Sequence, residues 1–245
     1  MKAVKHLVIF GLIFSSLLMA NESVLVLAGK NKDLTKLKSA LSSGESVNSR
    51  GNGGASALMW AAKNNQLNMV DFLLEKGADV DAQDSAGYSA LIYACSEGNL
   101  DVAISLVNKK ADVNLATKNS KTALTFAIKK AKYKLVEFLI DKGASISIVD
   151  DSGTTLLGYA VQGESEDMPI IANYLIQNGA DVNAKDEDGY TILMAAAESG
   201  NTQIVSLLIG RGVNKNAKDS EGLTALDYAK AEEQNEVVAL LNYDL

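Results

Sequence analysis

The stretch SALMWAAKNNQLNMVDFLLEKGADVDA, from Ser56 to Ala82, decides the fold of this chain. Ser56 can cap the first of two short helices, and Asn64 and Asn65 interrupt the pattern before a second apolar stripe begins. Gly77 supplies the left-handed backbone that ends the second helix. The stretch therefore predicts two short antiparallel helices. A pair this small cannot bury its own apolar face, so it must stack on further copies of itself.

Copies of this stretch recur along the chain at a nearly constant spacing. One leucine returns every 33 residues, or once after 36, and a serine or threonine stands two residues before it, where a helix needs a cap. A glycine usually stands four residues before the leucine, as a tight hairpin tip with positive φ requires. Ser120 replaces that glycine once, and Lys110 replaces a helix-ending glycine once. The aligned leucines are Leu58, Leu91, Leu124, Leu157, Leu193 and Leu226.

This repeating pattern can be compared with known repeat families. The period of 33 residues, with D-x-x-G-x-T-x-L-x-x-A-A followed by L-L-x-x-G-A-D-V-N-A, resembles the ankyrin repeat from about Ser23 to the C-terminus. The resemblance implies an all-α solenoid of stacked antiparallel helix pairs joined by β-hairpin-like loops. Ankyrin repeats usually place Pro after the capping Thr and His after the Leu. In this chain, the six aligned repeats have no Pro and no His at these two positions. The missing Pro removes some preorganisation from each helix start.

The predicted domain boundaries follow from the same alignment. Residues 1–20 form a signal peptide, and residues 21–245 form one ankyrin-repeat domain. The domain begins with a shortened N-terminal cap at 21–48, which lacks a preceding hairpin. Six repeats follow, at about 49–82, 83–115, 116–148, 149–184, 185–217 and 218–245.

The first twenty residues predict export. Lys2 and Lys5 precede an apolar run from Leu7 to Met19, and the small residue Ala20 then precedes a polar segment. This order is typical of a secretory signal peptide cleaved after Ala20. The run is shorter than the roughly 18 apolar residues that span a bilayer, although an uncleaved anchor is the alternative. We expect a periplasmic or secreted protein, without stable membrane insertion once the signal is cleaved.

Composition excludes several classes of function. Cleavage would remove Lys2, Lys5 and the only histidine, His6, and change the net charge from −7 to −9. An acidic chain without clustered Arg is a poor nucleic-acid binder. A mature chain without His has no Ser-His-Asp site and no imidazole metal site. The single Cys95 replaces a small residue of the pattern, which predicts a buried thiol. We therefore expect a monomer that is not an enzyme and uses no cofactor, metal or nucleic acid.

An aromatic residue stands two positions after most of the aligned leucines. Equivalent positions of stacked helix pairs lie side by side, so these residues should form a ladder. The rings could pack between repeats, or their outer edges could grip a ligand. The ladder positions hold Trp60, Tyr93, Phe126, Tyr159, Ala195 and Tyr228.

The resemblance also nominates a binding surface. In ankyrin proteins, hairpin-tip residues before the capping hydroxyl and residues late in the first helix form the usual protein-binding face, which is concave. Exposed tyrosine is enriched at binding hot spots, and the alternative is an ordinary solvated surface. The residues carried over are Tyr88, Lys121, Tyr190, Leu223, Lys63, Glu97, Lys129, Lys130, Glu198 and Glu232.

Charge is unevenly distributed along the chain. Eight lysines and one aspartate lie between Lys109 and Lys134, whereas fifteen acidic and five basic residues lie between Asp150 and Glu233. The electrostatic field of such an uneven charge distribution can steer and orient a partner.

The leading hypothesis is an exported adaptor, inhibitor or immunity protein that binds another protein of the cell envelope. The alternative is a passive scaffold that assembles by end-to-end stacking.

Overall fold

A computed structural model describes residues 22–242, so the predicted signal peptide lies outside the described residues. The described residues form fourteen α-helices in consecutive pairs, and we call the two members of each pair the first and second helix. The helices are α1 (Val24–Lys30), α2 (Leu34–Ser42), α3 (Ala57–Lys63), α4 (Leu67–Glu75), α5 (Ala90–Glu97), α6 (Leu100–Asn108), α7 (Ala123–Lys129), α8 (Tyr133–Asp141), α9 (Leu156–Gln162), α10 (Met168–Gln177), α11 (Ile192–Glu198), α12 (Thr202–Gly210), α13 (Ala225–Ala231) and α14 (Asn235–Asn242).

The described chain divides into two compact units. The first unit contains residues 22–94 and 101–111, and the second contains residues 95–100 and 112–242. In the first unit, α1 packs on α2 and α3, and α3 packs on α4. In the second unit, α7, α9, α11 and α13 pack in series, and their partners α8, α10, α12 and α14 form a second layer. Stacked helix pairs of this kind confirm the predicted all-α class.

Apolar side chains between the helices form the core. Five of the six aligned leucines are at most 2 % exposed, and only Leu226 in α13 is half-buried. Leu73, Leu139 and Leu208 of the second helices are fully buried as well. Burying a leucine side chain stabilises a fold by about 1.5–3 kcal/mol, so these positions carry much of the stability. Small residues such as Ala61 let neighbouring helices approach closely.

Capped hairpins precede the first helices from α3 onward. The Ser56 Oγ accepts from the Met59 backbone N–H at 3.2 Å, and Thr191 caps α11 in the same way. Single antiparallel bridges close five of the hairpins, and no longer strand occurs within residues 22–242. The bridges pair Arg50 with Ser56, Gln83 with Ser89, Ala116 with Thr122, Val149 with Thr155, and Lys185 with Thr191.

Two residues that replace a glycine of the repeat pattern still adopt the left-handed backbone conformation that the glycine would have. Lys110 has φ 72° and Ser120 has φ 57°. The left-handed region costs a residue with a Cβ about 1 kcal/mol relative to glycine, and the fold tolerates this cost at both positions. Pro169 is the second residue of α10, where its missing N–H costs no helical hydrogen bond.

Within residues 22–242, each helix is too short or too polar to cross a membrane.

Candidate functional site

The aromatic ladder lies at the edge of the core. Each of its five rings is half-buried, whereas the aligned leucines beside them are almost all buried. Within each unit, the ladder rings therefore lie at the border of the core and leave part of their surface accessible. We use the term hairpin face for the surface that the hairpin tips and first helices form within each unit.

In the first unit, lysines pack on the ladder rings. Lys30 and Lys63 place Nζ 5.4 and 5.5 Å from the centre of the Trp60 ring. Lys63 also lies 5.6 Å from the centre of the Tyr93 ring. Tyr88, at the hairpin tip, stacks on Tyr93 with ring centres 5.1 Å apart. Two of the nominated residues, Lys63 and Tyr88, therefore converge on one ladder tyrosine.

A second cluster of the same kind lies in the second unit. Lys121 and Lys129 place Nζ 5.6 and 4.8 Å from the centre of the Tyr159 ring. Lys121 also forms an ion pair with Asp150, at 3.4 Å between Nζ and Oδ2. Contacts between a cation and an aromatic face contribute about 0.5–1 kcal/mol at exposed sites. These contacts favour the observed positions of the Lys121 and Lys129 side chains.

Asp150 joins the tip of its hairpin to the ladder. Its Oδ1 accepts from the backbone N–H groups of Ser152 and Thr154, both at 3.0 Å. Its Oδ2 accepts a hydrogen bond from the Tyr159 hydroxyl. Burial alone would raise the pKa of the Asp150 carboxyl, but the hydrogen bonds from Ser152, Tyr159 and Thr154 outweigh it and hold the pKa well below its usual value. Asp150 is therefore a charged structural group at neutral pH.

A third cluster, also in the second unit, is acidic. The Tyr190 hydroxyl donates to Glu198, and the Tyr190 ring meets the Tyr228 ring edge-on at 5.1 Å. The Tyr228 hydroxyl donates to the Asp219 Oδ2 at 2.6 Å. Burial and the hydrogen bond to Glu198 raise the pKa of Tyr190. The hydrogen bond to Asp219 and burial raise the pKa of Tyr228 to about 12. The sequence predicted exposed tip tyrosines, but Tyr88 and Tyr190 are half-buried because each packs on a ladder ring.

The remaining nominated residues lie around these clusters. Leu223 is half-buried at a hairpin tip. Glu97 and Glu198 end α5 and α11, and both are exposed. A carboxylate at the C-terminus of a helix opposes the helix dipole, so these two side chains do not stabilise their own helices. Lys130 and Glu232 are exposed just beyond α7 and α13.

Acidic hairpin tips hold the turns together. The Asp186 Oδ1 accepts from the backbone N–H groups of Asp188 and Tyr190, and Asp84 and Asp219 make equivalent pairs of bonds. Within residues 22–242, no three His, Cys, Asp or Glu side chains are grouped as a metal site. The Cys95 thiol is buried, and burial raises its pKa.

Two surface depressions were not anticipated from the sequence. A wide groove of about 720 Å³ lies between α12 and α14 and includes Ser206, Ala239 and Leu240. A smaller cleft of about 90 Å³ lies on the hairpin face, where Ala195 interrupts the ladder. The repeat alignment contained a signal for this cleft. Ala195 stands where the other repeats have an aromatic residue, and Gly158 stands where they have a larger side chain.

Comparison with known proteins identifies relatives of this architecture. A family model described as ankyrin repeats (3 copies) matches residues 25–117, 106–186 and 165–244. The human ASB11 ankyrin repeat domain superimposes with a TM-score of 0.76 and 25% identity, over 91% of this chain and 100% of that chain. A chain in the complex of the Bd0816 predatory endopeptidase from Bdellovibrio bacteriovorus with the immunity protein Bd3460 superimposes with a TM-score of 0.70 and 30% identity, over 79% of this chain and 98% of that chain. No curated protein sequence matches the chain.

Proposed function

Because this chain belongs to the ankyrin-repeat family, we propose that it is an exported module that binds another protein through its hairpin face. Ankyrin repeats generally mediate protein–protein interaction, and the fold is a scaffold that is not typically enzymatic. The module acts on its partner as an adaptor, an inhibitor or an immunity protein. The last role draws support from the Bdellovibrio structure, which is that of an endopeptidase in complex with an immunity protein.

Preordered side chains on the hairpin face carry this proposal. Lys63 lies over Trp60 and Tyr93, and Lys121 and Lys129 lie over Tyr159. Immobilising a flexible side chain on binding costs about 0.5–1.5 kcal/mol, and these lysines are already partly held. Half-buried tyrosines beside them are the residue type that most often anchors an interface. The face therefore combines rigid aromatic surface with charge.

Charge reversal within the second unit tests which face binds. Lys129 and Lys130 are exposed on the hairpin face, whereas Lys134 is exposed on the second helix α8. The immobilised protein should retain a partner from an envelope extract. The double change Lys129→Glu and Lys130→Glu should reduce retention by about tenfold or more, because like charges repel in the complex.

Lys134→Glu is the control, because it reverses the charge of one exposed lysine in the same unit on the other layer of helices. It should leave retention unchanged. Thermal melts should show that all variants are folded, since exposed substitutions usually change stability by less than about 0.5 kcal/mol. Loss of the partner in Lys134→Glu with retention in the double variant would instead assign binding to the second helices.

Export belongs to the same proposal. It rests on the lysines, apolar run and Ala20 of residues 1–20, which lie outside the described residues. The proposal places the partner in the cell envelope. When the full chain is expressed in a bacterium, the protein should appear in the periplasmic fraction with Asn21 as its first residue. An uncut chain in the membrane fraction would favour the anchored alternative.

A further inference from the structure

Asparagine side chains join successive repeats at the loops that follow the second helices. In the first unit, the Asn48 Oδ1 accepts from the backbone N–H of Asp79 in the next repeat at 2.8 Å. In the second unit, the Asn114 Oδ1 accepts from the Ser145 backbone N–H at 2.8 Å. The Asn114 Nδ2 also donates to the Gly143 carbonyl oxygen at 3.1 Å. One carboxamide group thus binds a backbone donor and a backbone acceptor of the following loop.

This link is missing one repeat later, because Ser147 stands at the position that Asn114 holds. The equivalent groups of the following loop are the Asp181 backbone N–H and the Gly179 carbonyl oxygen. Among residues 22–242, no protein group forms a hydrogen bond with either of them. The serine side chain is too short to span the two loops as the amide does. A backbone donor and acceptor are therefore left in the arrangement that a carboxamide fills in the preceding repeat.

A cavity of about 210 Å³ lies between the same two loops, within the second unit. Ser147, Gly179 and Asp181 lie on its polar side. One water takes up about 30 Å³ of the liquid, so the cavity is large enough for a side chain. The apolar residues that line the rest of it are Ile146, Ile148, Val149, Leu157 and Ala180.

The apolar wall of this cavity departs from the repeat pattern. Val149 is 50% exposed, although its bridge position is charged or polar in most other hairpins, as at Arg50 and Lys185. Ile148 stands where most of the equivalent loops have alanine. Two branched side chains thus replace smaller or polar ones beside the unpaired backbone groups. A partner group with an apolar stem would gain by covering this wall, because apolar area is removed from water.

From this geometry we propose that the cavity binds the side-chain carboxamide of a glutamine carried by the protein partner. The amide oxygen accepts from the Asp181 N–H, and the amide nitrogen donates to the Gly179 carbonyl oxygen. The two methylene groups of the glutamine lie against Ile148 and Val149. Glutamate is disfavoured because it offers no donor to Gly179 and would face the Asp181 carboxylate. The proposal rests on the proposed binding function and adds a contact at the base of the hairpin, where Val149 pairs with Thr155.

Blocked amino acids test the proposal directly. The probe is N-acetyl-glutamine methylamide, titrated into the isotope-labelled protein while backbone amide shifts are followed by NMR. The Asp181 amide should shift and saturate with a dissociation constant of about 10 mM, as expected for so small a ligand. The methionine analogue has a side chain of similar length without the amide, and the glutamate analogue has a carboxylate in its place. Each should bind about tenfold more weakly, because the backbone donor and acceptor are then not both paired.

Variants of the cavity supply an internal competitor and a matched control. Ser147→Asn should bridge to the following loop as Asn114 does, raise the urea midpoint and abolish the glutamine shift. Asn183 forms no such bridge within the described residues, so a second variant acts on the apolar wall instead. Val149→Lys introduces the residue type of the next hairpin and should weaken the glutamine probe several-fold. Ala116→Lys makes the corresponding change in the preceding hairpin and should have no effect.

Three results would overturn the proposal. These are equal binding of the glutamine and methionine probes, undiminished glutamine binding in folded Val149→Lys, or no saturable shift of the Asp181 amide. Any of them, with partner retention still sensitive to Lys129 and Lys130, would reject the carboxamide site while leaving the proposed function intact. If partner retention is also insensitive to those lysines, the proposed function fails as well.

Discussion

At the scale of single residues, tyrosine and aspartate occur as pairs nine positions apart. The Tyr93 hydroxyl donates to the Asp84 Oδ2 at 2.7 Å, and Tyr159 with Asp150 and Tyr228 with Asp219 form the same bond. The helix pair α7/α8 lacks both partners, because Thr117 and Phe126 stand at the two positions. Where the carboxylate is missing, the hydroxyl is missing too, and one hairpin has the carboxylate Asp186 with Ala195 in place of the tyrosine. Each pair ties a hairpin tip to its first helix.

Removing one hydroxyl measures the strength of this tie. Tyr93→Phe should lower the free energy of unfolding by about 1.5 kcal/mol, because a hydrogen bond to a charged acceptor is lost. Phe126→Tyr should give no gain, since Thr117 offers no carboxylate. Phe126→Tyr combined with Thr117→Asp should gain about 1 kcal/mol more than the two single changes together. Urea unfolding of the four variants measures these differences, and additive single effects would refute the pairing.

At the scale of helices and hairpins, the sequence predicted most of what the structure contains. A hydroxyl before each first helix and a glycine after most second helices are local signals, and local backbone geometry follows from them. The conformation holds even where the signal fails, since Lys110 and Ser120 keep positive φ. At these two positions the packing of neighbouring helix pairs imposes the positive φ, and the replacement of glycine by Lys110 or Ser120 does not change it.

The candidate site was less predictable than the helices. The repeat pattern placed Lys63, Lys121 and Lys129 on the hairpin side, but it does not encode the reach of a lysine side chain to a ring in a neighbouring pair. The depth of the ladder rings depends on how closely the helices approach, which periodicity does not fix. The cleft at Ala195 required two facts from different helices, a missing ring and a tyrosine held in place by Glu198.

At the scale of the whole molecule, the acidic composition does not mean that the carboxylates are interchangeable. The chain has a net charge of −7, but a few aspartates are tied into hairpins and helix caps. The hydrogen bond from Tyr228 lowers the pKa of Asp219, and hydrogen bonds from Thr224 lower the pKa of Asp227. The pKa of Asp150 is lowered as well. These three groups link folding to pH.

The sign of that link gives a prediction for stability across pH. A carboxyl whose pKa is lower in the folded state stabilises the fold above the unfolded value of 3.8, and this contribution is lost as the pH falls below it. Tyr228 behaves oppositely, because its pKa is raised from 10.0 to about 12. Its contribution is complete below pH 10.0 and is lost as the pH rises towards about 12. The urea midpoint should therefore fall at both extremes of pH.

Tyr228→Phe separates this linkage from general charge repulsion. The variant removes the main cause of the lowered Asp219 pKa and removes the phenol itself, so its midpoint should be lower at neutral pH and should change less with pH at both ends. Tyr174→Phe is the control for the acid limb, because Tyr174 lies on a second helix and its hydroxyl donates to Asp141, whose carboxylate caps no hairpin. Burial and Asp141 raise the pKa of Tyr174 as well, so this variant should change the midpoint only at alkaline pH. Parallel pH curves for the wild type and Tyr228→Phe would mean that repulsion among the many surface charges, and not the tyrosine–aspartate pairs, sets the pH limits of the fold.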